Sequence, residues 1–436
     1  MKSWILCAVL CGASVVRAAG PATTLPAAEV ESLIVQLNDD NWRVRQAAQD
    51  QLVALGDAVG RRIERLSTET AEEEVRTRAS AILRQIETHS RLAPTPITLH
   101  LKDAPPKQAI EAIAQQAKVE LAVWPDWVWK QAQGTVTVDA DREPFWVVLN
   151  QVCDQAGLSV QTHGGSSKIT IQTGRNNGSR KPRDLQGCFI ITADHASRNH
   201  HVDFSAPENI SSSFSLNIGV LVDPKLRILR AAYSPDVVTA KDENGNSLVG
   251  GAGLMRGEDY RAASWGATWR WDFAVPLVHT PQTGKKIAVL KGALRFMVQE
   301  KSDLWEIPNI AAAKNLERTI PIGKYIVQEL KKNGKENYEL KISIEHDRNI
   351  VTHQNLLTDW SSLQSSIRLL DAEGRAYQNS GGGGGGDDGK LQYTINFFAR
   401  NDGGQQPGDP VKLIWEIPTA TKEMEVPFEF RDLPIP

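Results

Sequence analysis

ITLHLKDAPPKQAIEAIAQQAKVELAV, residues 97–123, is answered by VTVDADREPFWVVLNQVCDQAGLSVQT, residues 136–162. Both stretches run in one order: an extended segment, Asp, Pro, an apolar-periodic helix and a second extended segment. A shift of 39 residues superposes Pro105 on Pro144, Ile110 on Leu149, Ile113 on Val152, Ala114 on Cys153 and Ala117 on Ala156. Four of these pairs fall at the i, i+3, i+4, i+7 spacing that keeps side chains on one side of a helix. The chain thus encodes two helices with equivalent buried stripes, each between strands. A last strand, KITIQ at 168–172, follows the turn HGGSS at 163–167. The expected product is one compact βαββαββ unit over 97–172, with both helices on one side of a small mixed sheet.

Upstream, residues 27–88 are helical in pattern throughout. VRQAAQDQLVALG at 44–56 recurs as VRTRASAILRQI at 75–86, aligning Val44 with Val75, Arg45 with Arg76, Ala48 with Ala79 and Leu52 with Leu83. A small residue in mid-helix with apolar neighbours four away lets helices stack closely. Asp39-Asp40-Asn41-Trp42 reads as the turn between helices and Gly56 as a helix stop. Residues 89–96, with two prolines, and 173–183, rich in Gly, Asn and basic residues, read as linkers.

Downstream, strand alternations recur between turns, from FSLNIGVLV at 214–222 to VKLIWEI at 411–417. Such spacing favours antiparallel sandwiches. This half repeats weakly, with Asp242-Glu243-Asn244-Gly245 matching Asp371-Ala372-Glu373-Gly374 as a hairpin turn. Two sandwich domains are expected, 184–300 and 310–436. The echo of Trp305-Glu306-Ile307-Pro308 in Trp415-Glu416-Ile417-Pro418 falls at another offset and reads as coincidence.

The duplicated 97–172 segment resembles the short N-terminal domain shared by secretins and TonB-dependent receptors. The helices before it resemble HEAT-type repeats. The first resemblance implies a docking role at the bacterial envelope and no reaction. No secretin or receptor barrel is expected to follow, since the later strands lack a sustained outward apolar band and aromatic girdles.

The N-terminus agrees with export. Lys2 precedes an apolar run from Trp4 to Val16, and Val16-Arg17-Ala18 suits signal peptidase, so residues 1–18 read as a signal peptide cleaved after Ala18. The run is short of the roughly 20 residues a membrane span needs. Cys7 and Cys11 each follow Leu, which argues against a lipoprotein. A net charge of -3 without a basic stripe argues against nucleic acid, and 41% apolar content supports several ordinary cores. Only Cys153 and Cys188 lie beyond the leader, and burial as free thiols is favoured over a bridge.

Candidate chemistry is sparse. His195, His200 and His201 lack a completing Cys, Asp or Glu at metal-site spacing and read as a solvated loop. Gly381 to Gly386 precede no Lys-Ser/Thr and read as a strand connection. No G-x-S-x-G or H-E-x-x-H occurs, and Glu306 with Glu416 carries little weight as a carboxylate pair among 52 acids. No catalytic residue, cofactor or metal is assigned. The tryptophans are more informative. Trp124, Trp127 and Trp129 in VWPDWVWK, together with Trp146, form the candidate protein-binding face, against the alternative that they pack on the preceding helices or line the module's core. Trp269, Trp271 and Phe273 alternate on one strand and read as core, whereas an exposed row including Trp265 would suit sugar stacking.

The sequence therefore predicts a multi-domain α+β chain: a short helical repeat, a small βαββαββ module and two antiparallel β-sandwich domains. Its expected role is that of an exported, non-catalytic scaffold for envelope proteins, periplasmic or exported further. The alternative is a carbohydrate- or cell-wall-binding protein with hydrolase potential on the sandwich domains.

Overall fold

The computed structural model describes residues 27–123, 127–132, 134–160, 169–174, 181–205, 210–250, 260–262, 269–334, 336–346, 363, 366–387, 389–399 and 406–436. The chain divides into two units between Ala93 and Pro94, the first helical and the second mixed but mostly strand.

In the first unit, α1 (Ala27–Gln36) pairs with α2 (Trp42–Leu55), and α3 (Asp57–Glu69) with α4 (Glu73–Leu92). The second pair repeats the first. Arg45 Nη1 donates to the carbonyl of Asp39, and 31 residues on Arg76 Nη1 donates to that of Thr70. Ala48 and Ala79 are both fully buried, as close helix contact requires. Asn41 caps α2 by accepting from the Arg43 N–H, and Gly56, at φ 58°, ends it. The last helix continues to Leu92, so the first half of the first expected linker is helix.

The second unit opens with the duplicated segment: β1 (Pro96–Ala104), α5 (Pro106–Ala117), β2 (Leu121–Val123), α6 (Val128–Gln131), β3 (Val136–Pro144), α7 (Phe145–Ala156), β4 (Leu158–Val160) and β5 (Ile169–Thr173). Helices α5 and α7 are each twelve residues and sit 39 apart. Each starts after a proline, and each ends at a left-handed residue, Lys118 or Gly157.

The strands depart from the single sheet expected. β1 and β3 make a two-stranded antiparallel ribbon, while β2, β5 and β4 make a separate sheet with β5 in the middle. Two bulges in the ribbon explain the division. They leave Thr98 and Thr137 out of the ladder, with Arg142 and Asp103 at positive φ beside them. The Gln116 amide then accepts from the Thr98 N–H and donates to the Thr98 carbonyl, at 3.0 and 2.9 Å. Gln155 does the same to Thr137, at 2.9 Å for both bonds. These amides occupy the backbone groups that a third strand would need. Asp103 N–H donates to Thr137 Oγ1 and Arg142 N–H to Thr98 Oγ1, both at 3.2 Å, so the copies exchange partners about a local twofold axis. That axis passes through the His100 and Asp139 pair, which face each other in register with Nδ1 and Oδ1 2.7 Å apart.

The remaining strands are β6 (Arg183–Gln186), β7 (Phe189–Val202), β8 (Ile210–Val222), β9 (Ile228–Ala232), β10 (Asp236–Asp242), β11 (Tyr260–Ala262), β12 (Arg270–Leu277), β13 (Lys286–Pro308), β14 (Lys314–Ile320), β15 (Gly323–Lys332), β16 (Asn337–Glu345), β17 (Ile367–Asp371), β18 (Gln378–Asp387), β19 (Lys390–Phe398) and β20 (Pro410–Pro434). One antiparallel sheet runs β12-β8-β7-β6 and another β14-β15-β16-β19-β18. Both are served by a central sheet in which β13 and β20 pair from Lys286 opposite Pro434 to Pro308 opposite Lys412. β13 thus crosses the expected boundary at 300–310. The end of β20 returns to pair with Lys286–Gln299, so residues 421–434 lie beside the first β half. Three rings from the first sheet, Phe189, Trp271 and Phe273, meet Phe296 of β13 at 5.3, 6.1 and 5.8 Å. At the other end, Trp305 and Trp415 stack as cross-strand partners at 6.0 Å, and Tyr325 of β15 meets Trp415 edge-on at 5.3 Å. The repeated Trp-Glu-Ile-Pro is thus the meeting point of the two long strands.

The paired turns are equivalent in detail. Asp242 accepts from the N–H groups of Asn244, Asn246 and Gly284, and Asp371 from those of Glu373, Arg375 and Gly408. Gly245 and Gly374 supply the positive φ, 83° and 78°. Gly381 to Gly386, expected as a connection, lie inside β18 and pair with β19.

Candidate functional site

VWPDWVWK follows β2. Trp124, Pro125 and Asp126 lie outside the described residues. Trp127 occupies the N-cap position of α6, and the one-turn helix sends its neighbours in different directions. Val128 is fully buried, Trp129 is half-buried against the core of β1–β5, and Trp127 is 46% exposed. A ring so exposed leaves much of its contact area to a partner.

Trp146 goes elsewhere. It lies in the first turn of α7, is 2% exposed, and donates Nε1–H to the Val222 carbonyl of β8 at 2.9 Å. Its ring packs on Phe145 at 5.0 Å and on Trp269 at 5.6 Å. Trp146 is therefore no part of an exposed face. It joins the duplicated segment to the strands that follow, and Ile190, Leu221 and Trp269 complete the same hydrophobic core. Asp223 adds a polar tie at this junction. It accepts from the Thr95 N–H and hydroxyl, both at 2.7 Å, while its own N–H donates to the Cys188 carbonyl at 2.8 Å. The core crosses the second expected linker, of which residues 175–180 lie outside the described residues. Neither Trp269 nor Asp223 could be placed here from the sequence, because periodicity reports which face is buried and not against what.

Trp269 and Trp271 are buried, at 6% and 2%, and Phe273 at 2%, while Trp265 lies outside the described residues. No stacking row for sugar is formed by the two described tryptophans of that stretch.

Cys153 and Cys188 are both buried thiols outside any disulfide, and burial pushes each up to about 12, with the Asp154 charge adding to the shift at Cys153. Glu416 pairs with Leu304, just beyond the point between Gln299 and Ser302 where β13 and β20 change register. Burial would raise its pKa, but the Arg227 guanidinium at 2.5 Å and hydrogen bonds from Gln299 and Ser302 outweigh it and hold the carboxyl below its usual range. Glu306 is tied to Lys412 at 2.5 Å. Both carboxylates are engaged in ion pairs, and Glu416, held ionised, is unsuited to act as a general acid.

His195, His200 and His201 lie on strand β7 rather than in a loop, and all three are exposed. His195 meets Asn217, and His200 meets Ser212. Arg198 Nη1 donates to His279 Nε2 at 2.9 Å, a histidine distant in sequence that the cluster at 195–201 did not bring to notice. Among the described residues, no group of three or more His, Cys, Asp or Glu side chains is placed to hold a metal ion. No described helix is long and apolar enough to cross a membrane.

Comparison with known proteins finds no matching family model, no matching curated protein and no matching solved structure.

Proposed function

We propose that this protein is an exported, non-catalytic scaffold of the cell envelope, in which a docking module of the secretin/TonB short N-terminal type is presented on two β-sandwich halves that share a central sheet. A pair of HEAT-like helical repeats precedes the module. Trp127 is the anchor of the docking face and Trp129 its support, while Trp146 is the joint that holds the module to its stem. The observation that carries this reading is the opposite placement of the tryptophans: Trp127 is presented at the surface, and Trp146, Trp269 and Trp271 are enclosed. Enclosure fixes the module against the strands, so a partner bound at Trp127 meets a pre-organised surface, which lowers the entropic cost of association. The same enclosure takes away the support for sugar binding at Trp269 and Trp271.

The test is co-purification of envelope proteins with the full chain and with Trp127→Ala. An exposed aromatic anchor contributes about 2 kcal/mol or more to binding and little to folding. Trp127→Ala should therefore lose the partner and keep its melting temperature. Retained binding together with lost stability would refute the docking face.

A further inference from the structure

We propose that β18 is the seam of a homodimer, in which two copies of this chain pair antiparallel, glycine run against glycine run. β18 is the last strand of its sheet, and Gly382 to Gly386 are exposed. Four of the six glycines are explained by this chain alone. Gly381 and Gly382 adopt φ of 113° and 153°, and a Cβ at Gly384 or Gly386 would collide with the carbonyl of Gln392 or of Lys390 on β19. Gly383 and Gly385 have neither reason. Their φ is not in the left-handed region, and a Cβ at either would meet nothing within 4 Å. Glycine in a strand where the fold does not require it marks close approach by another backbone.

The two edges of this sheet differ in the same sense. β14, at the far edge, carries Lys314, Glu317 and Arg318, the charges by which edge strands resist pairing. β18 has no charged side chain from Gln378 to Gly386. Growth of β18 onto β14 of a second copy is thus disfavoured, and β18 onto β18 closes with twofold symmetry. Antiparallel pairing about a twofold axis at Gly383 sets that residue opposite its own counterpart, Gly382 opposite Gly384 and Gly381 opposite Gly385, so that glycine meets glycine along the seam.

The test is the mass of the purified full chain by sedimentation equilibrium over a range of concentrations, independent of any docking at Trp127. The expected mass at high concentration is twice that of the chain. Gly383→Lys with Gly385→Lys, at positions where a side chain has room, should raise the dissociation constant at least tenfold and leave the melting temperature unchanged. Gly383→Cys should form a disulfide-linked dimer on mild oxidation. A wild-type chain that stays monomeric, a dimer indifferent to the two lysines, or a Gly383→Cys variant that yields no linked dimer would overturn the proposal.

Discussion

Trp146 and Trp127 show how one residue type serves two ends. The Trp146 indole supplies a hydrogen bond to Val222 and a ring against Trp269, both inside the core. Trp146→Phe would keep most of the ring and leave the Val222 carbonyl short of a buried donor, at a cost of about 1–3 kcal/mol. Urea unfolding should show that loss, whereas Trp127→Ala should fall within about 0.5 kcal/mol of wild type, as surface changes do. The two thiols give a second check. With both raised to about 12 by burial, Cys153 and Cys188 should resist a thiol reagent in the native protein at pH 8 and react once it is unfolded. Rapid native labelling of Cys153 would place it on the wrong side of α7. Asp242 and Asp371 set a pH dependence. Burial would raise their pKa values, but the backbone N–H groups and the side chains of Asn246 and Arg375 outweigh it and lower both. A depressed folded-state pKa contributes stability that is fully present above the unfolded value, about 3.9, and is lost as pH falls through the folded value. Asp371→Asn should therefore flatten the fall of the urea midpoint below about pH 4. An unchanged acid slope would count against this assignment.

Among the elements, the ribbon of β1 and β3 makes the most specific prediction. Gln116 and Gln155 hold equivalent places about its twofold axis. Gln116→Leu and Gln155→Leu should each cost about 1 kcal/mol, and the two losses should agree within about 0.5 kcal/mol, the scatter of independent sites. Widely unequal losses would show that the duplication is not matched in energy. The helices were legible because helical periodicity reports a buried face directly, and α5 and α7 keep the same shift of 39 that relates the two stretches of sequence. The Asp-turn pair 242 and 371 was legible because turn chemistry is local. Strand pairing was not, since alternation along a strand is silent about its neighbour. That silence hid the division of the module into two sheets. It also hid the pairing of Trp305 with Trp415 across β13 and β20. Gly381 to Gly386 read as a connection because glycine has poor β propensity, and pairing with β19 overrides it. The three histidines read as a loop because their polar run hides the extended pairing of β7 with β8.

At the scale of the molecule, β13 and β20 bind the two β halves into one sheet, so a cut between residues 300 and 310 leaves neither half whole. A chain ending at Asn309 would lose β20 and expose the long edge of β13, which predicts aggregation on expression. A soluble, cooperatively folded product would contradict the shared sheet. The surface that this frame presents at Trp127 is the centre of the functional account. Its most direct test is a photo-crosslinking amino acid placed at position 127 in the full chain in intact cells, with Tyr233, exposed at 60% on the first β half, as the control position. The account predicts a discrete adduct with one envelope protein from position 127 and none from position 233. No protein adduct at 127, or the same adduct from both positions, would contradict it.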